Sequence, residues 1–229
     1  MEFTYDVYWV WHLFGHDILI TETHFNTWVI GAVLIAFALF VRFKLKSFTD
    51  VPKTKLQVIM EAGVEAIDGL VRSNMGEKYA YFGTWFFGVF LYILAANLSG
   101  LLGMRPPTAD LTTTAALGAT TFIIIHIMGI RVQKGKYFKE YLSPVPIFLP
   151  TNIVSELAIP VSLSFRLFGN ILGGFFVMGL MYGMFPWFLT VVVPAPFHFY
   201  FDVFAGGLQA FVFTMLSIIF INKKLVIEN

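Results

Sequence analysis

The sequence predicts an all-α polytopic membrane protein. About five helices are membrane-embedded, one amphipathic helix lies on the cytoplasmic side, and the last two spans form a long tilted hairpin. Three observations carry this expectation. Of 229 residues, 58% are hydrophobic. Only 13% are charged, about half the share of an average soluble domain. The apolar residues come in runs such as "TWVIGAVLIAFALFV" and "TTTAALGATTFIIIHIMGI". Such runs suit a hydrocarbon core of about 30 Å, and they lack the short alternating pattern of membrane strands.

The elements follow in order within one membrane domain, 1–229. Residues 1–25 read as an outer segment. They lack a basic n-region and hold Glu2, Asp6, Asp17 and Glu22, so they do not resemble a cleaved signal peptide. Tyr8, Trp9, Trp11 and Trp28 suit an interfacial aromatic belt. The first span, 26–43, ends in Arg42, Lys44 and Lys46, with Lys53 and Lys55 behind. Positive residues favour the cytoplasm, which puts the N-terminus outside.

Residues 53–72 place Leu56, Ile59, Met60, Gly63, Val64, Ile67 and Val71 at helical spacing, opposite Glu61, Glu65 and Asp68. This reads as an amphipathic helix at the interface. Span 79–103 runs outward, Pro106 and Pro107 break the helix, and span 112–130 returns to Arg131, Lys134, Lys136 and Lys139. Thirteen of the 15 Lys and Arg residues then fall inside. The cytoplasmic ends at Lys139 and Lys223 require an even number of crossings between them, hence a hairpin: a long helix over 147–185 and a returning helix over 189–222. At about 1.5 Å per residue the first arm is nearly twice as long as the core is thick, so it must tilt or bend.

Between Tyr141 and Phe201 the only charges are Glu156 and Arg166. A charge at mid-membrane costs about 2.5–3.5 kcal/mol on insertion scales, and arginine does not escape it by deprotonating. Arg166 therefore cannot carry a proton, but it can pair with a carboxylate. Ser162, Arg166 and Asn170 share one helix face, flanked by Gly169 and Gly173 at a spacing that admits a neighbouring helix. The bland reading is an internal ion pair of Arg166 with Glu156 or Asp202. Asp202 and Gln209 lie two turns apart on the returning arm, as a polar stripe or as packing hydrogen bonds. Asn97, Thr112, Thr113 and Thr114 either line a wet cleft or bond back to their own helices. His126 reads as a core residue. The sequence holds no cysteine, no His pair at metal-ligand spacing, no phosphate loop and no nucleophile elbow. No cofactor and no nucleic-acid partner is expected. One fixed cation with no continuous titratable relay implies a carrier supplied by another chain.

"PVSLSFRLFGN" at 160–170, "LQAF" at 208–211, "AANLSGL" at 95–101 and "PTAD" at 107–110 together resemble subunit a of rotary F-type ATP synthases. The resemblance covers about 79–221. It implies a non-catalytic subunit with no ATP site, in the energy-coupling membrane, with its C-terminus cytoplasmic. It implies partners: a c-subunit ring against the tilted hairpin, b subunits of a peripheral stalk, and the catalytic head reached through the stalks. It further implies that Arg166 is the cation facing the ring carboxylates and Gln209 its companion. Asn97, Glu156, Asn170 and Asp202 then belong to the ion pathways, with Thr112 and Ser162 beside them. The chain departs from the family at Phe175, where many members carry Glu, and at Ile159, where some carry a basic residue. A single-chain transporter holding an anionic substrate at Arg166 is the alternative.

Overall fold

The computed structural model describes residues 7–13, 16–46, 48–49, 52, 54–143, 145–186, 189 and 192–225. Glu2, Asp6, Lys53, the side chains of Tyr8 and Trp11, and much of the turn near 185–196 lie outside them. Five described helices are long and apolar enough to cross a membrane.

The segment before the first span, for which the sequence predicts no helix, holds two short strands. Val7–Leu13 (β1) and His16–Thr21 (β2) form an antiparallel hairpin, with Val10 opposite Leu19 and Trp11 opposite Ile18. Val, Trp, Ile and Thr dominate both strands, and these residues favour a pleated backbone over a helix. The chain turns helical at Glu22, an acid suited to the positive end of a helix dipole, and α1 runs from Glu22 to Leu45. Arg42 and Lys44 complement its last turn.

Helix α2 (Lys55–Met75) starts at Thr54, whose hydroxyl accepts from the Gln57 amide at 3.3 Å, and stops at Gly76, whose φ of 81° suits glycine. One side of it packs inside the protein and part of its apolar face stays open. Gln57, Ile67, Val71 and Met75 are covered, while Ile59 and Val64 are exposed. Glu61 is half-buried because its carboxylate accepts from Gln57 Nε2 at 2.8 Å. Asp68 lies against Gly83 of the following helix, where there is no side chain to displace it.

Helices α3 (Phe82–Leu98), α4 (Leu111–Gln133), α6 (Leu149–Met184) and α8 (Gly206–Leu225) make the bundle, with the short α5 (Gly135–Glu140) and α7 (Pro194–His198) in the connections. Two cores hold it together. One joins Ile67 and Val71 of α2 to Phe82, Phe86, Ile125, Ile218 and Ile221. The other joins Ile93 of α3 to Leu163 and Leu167 of α6 and Ala210 and Phe213 of α8. Between α3 and α4, Pro107–Ala109 is a 3-10 turn packed under α6 rather than an open loop, and Thr108 is fully buried. Asp110 then caps α4 by accepting from the Thr112 amide at 2.9 Å.

Helix α6 has 36 residues, about 54 Å of helix against a core of about 30 Å. Pro160 sits inside it. Its carbonyl accepts from Ser164 Oγ at 2.6 Å and faces Gly118 of α4. The returning arm is not one regular helix. Phe199–Ala205 is a π-helical segment between α7 and α8, and such widened turns are frequent at functional sites.

Candidate functional site

Arg166 stands on the open face of α6. Its side chain is exposed in this chain, as are Val161, Ser162, Phe165, Gly169 and Gly173. A Cβ added at Gly169 or Gly173 would meet nothing within 4 Å. The opposite side of the same turns, Leu163 and Leu167, is buried. Arg166 makes no ion pair or hydrogen bond among the described residues. Both carboxylates that an internal pair would need are engaged elsewhere. Glu156 binds Lys224 Nζ at 2.6 Å, and Asp202 binds His198 Nδ1 at 2.6 Å.

Gln209 lies on α8 beside Ala210, which shares a core with Leu163 and Leu167. Arg166 and Gln209 thus stand at one level of the α6–α8 contact. Gln209 is buried, and its Nε2 has no partner. A buried amide that donates to nothing costs roughly 1–3 kcal/mol, which is tolerable if a group from outside completes the site.

Two cavities flank this level at opposite ends of the bundle. At the lysine-rich end, a cavity of about 430 Å³ is lined by Tyr141, Asn152, Glu156, Ile159, Phe220 and Lys224, among others. Its wall holds the Glu156–Lys224 pair, with the ammonium over the rings of Tyr137 at 5.5 Å and Tyr141 at 5.6 Å. The second oxygen of Glu156, Oε2, is buried with no hydrogen bond. At the other end, a cavity of about 650 Å³ is lined by Glu22, Arg105, Asn170, Phe175, Tyr182, His198 and Asp202, among others. Along α6, Arg166 falls between the residues of the two cavities. Along the returning arm, Gln209 does the same.

The remaining candidates divide. Asn170 lines the larger cavity. Asn97 lines neither. It is fully buried, donating to the Gly206 carbonyl at 2.8 Å and accepting from Thr108 Oγ1 at 2.7 Å. A Cβ at Gly206 would sit 2.9 Å from that of Asn97, so the glycine is what lets α8 approach. Thr112 and Thr113 line a separate cavity of about 340 Å³ with His24 and Tyr92, whereas Thr114 bonds back to the Leu111 carbonyl at 3.1 Å. His126 bonds to the Phe122 carbonyl at 2.9 Å, in keeping with a core residue.

Sequence reasoning did not name His198, Tyr182, Lys224 or Arg105 at these cavities. His198 and Asp202 are four apart, a pairing visible in "HFYFD". Tyr182 meets His198 only through the hairpin and leaves no local signal. Lys224 was counted as a cytoplasmic charge, not as the partner of Glu156. Arg105 lies 5.8 Å from the ring of Phe175, the position where many members of the resembling family hold Glu.

The ATP synthase A chain family matches residues 24–222 of this chain. ATP synthase subunit a of Moorella thermoacetica is 38% identical over 206 residues, covering 89% of this chain and 90% of the relative. A protein of Syntrophotalea carbinolica named ATP synthase subunit a 2 is 34% identical, covering 87% and 84%. The Propionigenium modestum protein named ATP synthase subunit a, sodium ion specific, is 32% identical, covering 90% and 74%.

Proposed function

The chain belongs to the ATP synthase A chain family, an integral membrane subunit of the ATP synthase complex, and from that premise we propose that Arg166 faces the carboxylates of a rotating c-subunit ring while the two cavities serve as the ion half-channels. The observation that carries the proposal is the position of Arg166. It is exposed on an apolar helix face, unpaired among the described residues, and falls along α6 between the residues of the two cavities.

Facing lipid, the guanidinium would cost about 2.5–3.5 kcal/mol. Facing a carboxylate at 4 Å with an effective dielectric near 20, it gains about 4 kcal/mol. The second term offsets the first, so a ring carboxylate is the better neighbour. The same attraction favours the ionised carboxylate, so a loaded ring site releases its ion as it reaches Arg166. The fixed cation also repels any ion that would pass straight from one cavity to the other. It thereby keeps transport tied to rotation. Gly169 and Gly173 leave the face low enough for a ring helix to pass closely.

The charge distribution supports one choice of sides. Arg42, Lys44, Arg131 and Lys224 gather at one end of the bundle, which by the positive-inside rule is cytoplasmic. The Glu156–Lys224 cavity is then the inner half-channel and the His198–Asp202 cavity the outer one, with the N-terminal hairpin outside. The peripheral-stalk b subunits and the catalytic head are the other partners this role requires. A single-chain transporter is disfavoured because Arg166 lines neither cavity. The chain has no cysteine, so Ser162→Cys gives a unique thiol on the proposed face. Cross-linking it to a cysteine beside the ring carboxylate is expected in the native complex. Cross-links only to lipid-exposed partners would contradict the proposal.

A further inference from the structure

Where α4 ends, four cations follow one another without a counter-charge. Arg131, Lys134, Lys136 and Lys139 fall within nine residues, and no Asp or Glu stands between them. All four are exposed, and none forms an ion pair among the described residues. Helix α4 stops at Gln133, whose Nε2 donates to the Lys224 carbonyl at 3.1 Å. Lys134 then makes the corner to α5 with φ 51° and ψ −125°, and among the described residues no other non-glycine has a positive φ. A side chain is strained in that region and glycine is not. Gly135 is the next residue, yet the strained place holds a lysine. Strain of this kind gathers at binding sites, where surrounding contacts maintain it. Here Tyr137 maintains it from beneath. Its side chain is buried, and a Cβ at Gly129 would stand 2.5 Å from its ring. Its hydroxyl bonds to that of Tyr141 at 2.8 Å. With Tyr137 turned inward, the lysines and Phe138, 62% exposed, are left on the outer side. Residues 132–136 and Lys139 line a hollow of about 460 Å³.

We propose that this corner binds the phosphodiester headgroup of an anionic phospholipid of the cytoplasmic leaflet. The inference needs only the side given to this end of the bundle, and not the two half-channels. Lysines and arginines just cytoplasmic of a span are drawn to anionic headgroups, and each charge adds to the attraction. The hollow offers a phosphate the ammonium groups of Lys134, Lys136 and Lys139 together, as charge-assisted donors. The location favours a lipid over a free anion. The corner continues directly from α4, whose last turns expose Ile127 and Ile130, so it lies at headgroup depth. Phe138 beside the lysines suits the membrane interface, and the lysine stems lie along apolar surface while their charges reach the phosphates. An aqueous phosphate uses the ammonium groups but leaves Phe138 and the isoleucines without a role. An acidic protein segment meets the same cations, but the patch is continuous with the open apolar face of a membrane span.

The test uses the whole ATP synthase, purified in neutral detergent, stripped of lipid and titrated with phosphatidylglycerol that carries a photoreactive group beside its headgroup. Cross-linked peptides of this chain report the place of binding. Saturable labelling at the corner is expected, weaker at high salt and absent with the matching phosphatidylcholine. Combining Lys134→Gln, Lys136→Gln and Lys139→Gln should weaken the apparent affinity about ten-fold or more, and the three Arg counterparts should keep it within about two-fold. Lys134→Gly removes one charge and the backbone strain together. It should lower the affinity about three-fold at undiminished complex abundance, and it carries the test if the triple Gln variant fails to assemble. Equal labelling by the two lipids, or an unchanged affinity in the variants that lose charge, would overturn the proposal. Displacement of the label by inorganic phosphate at the lipid's own concentration would do so too, by marking a site for a free anion. Carbodiimide cross-links from these lysines to a carboxylate of another subunit, with no lipid label at the corner, would mark a protein interface and overturn it equally.

Discussion

Glu156 of α6 and Lys224 of α8 close one end of the bundle with a 2.6 Å ion pair, and both side chains are largely buried. The ammonium also lies near two tyrosine rings. This pair uses the carboxylate that Arg166 would otherwise have available ten residues further along α6. Glu156 is therefore not the partner of Arg166 in this structure.

Removing one member of such a pair strands the other. Lys224→Met alone is expected to destabilise the assembled complex by about 3–5 kcal/mol, and the double variant Glu156→Leu with Lys224→Met to recover most of it. Thermal unfolding of the purified complex reads the difference. Equal losses in the single and double variants would mean that the pair carries no coupling.

Asn97 ties α3 to the Gly206 carbonyl and to Thr108. Asn97→Leu removes the added bond to the Gly206 carbonyl and takes from the buried Thr108 hydroxyl its acceptor, the latter at about 1–3 kcal/mol. Lower abundance of the assembled complex is expected, with normal coupling per complex. Full abundance with impaired coupling would move Asn97 from a structural strut to the ion path.

Glycines on the two sides of α6 should behave oppositely. Gly118→Ala drives a methyl to 2.8 Å from the Pro160 carbonyl, which is backbone and cannot turn away, so about 1–3 kcal/mol is lost to overpacking. Gly169→Leu starts from a Cβ position with nothing within 4 Å among the described residues. It should leave the chain folded and inserted while lowering ATP-driven ion pumping. Folding yield and coupling, measured on the same membranes, separate the two effects.

The membrane class was legible because long apolar runs leave few alternatives, and Arg166 was legible because nothing else charged lies near it in sequence. The N-terminal hairpin was missed because the aromatic content of 7–13 was read as interfacial anchoring, although Val, Ile and Thr gave an equally local strand signal. The burial of Gln57 was not legible because it depends on bonds to Glu61 and to the Thr49 carbonyl, which no hydropathy pattern registers. The pairings of Glu156 with Lys224 and of Tyr182 with His198 join residues 68 and 16 positions apart. Such contacts come from helix packing, and one sequence holds no periodic trace of them.

The most direct test of the central claim is ATP-driven ion pumping by vesicles carrying Arg166→Ala. The variant complex is expected to assemble in normal amount, because Arg166 makes no hydrogen bond or ion pair among the described residues, and to hydrolyse ATP without pumping. Coupled pumping at the unmodified rate would contradict the account.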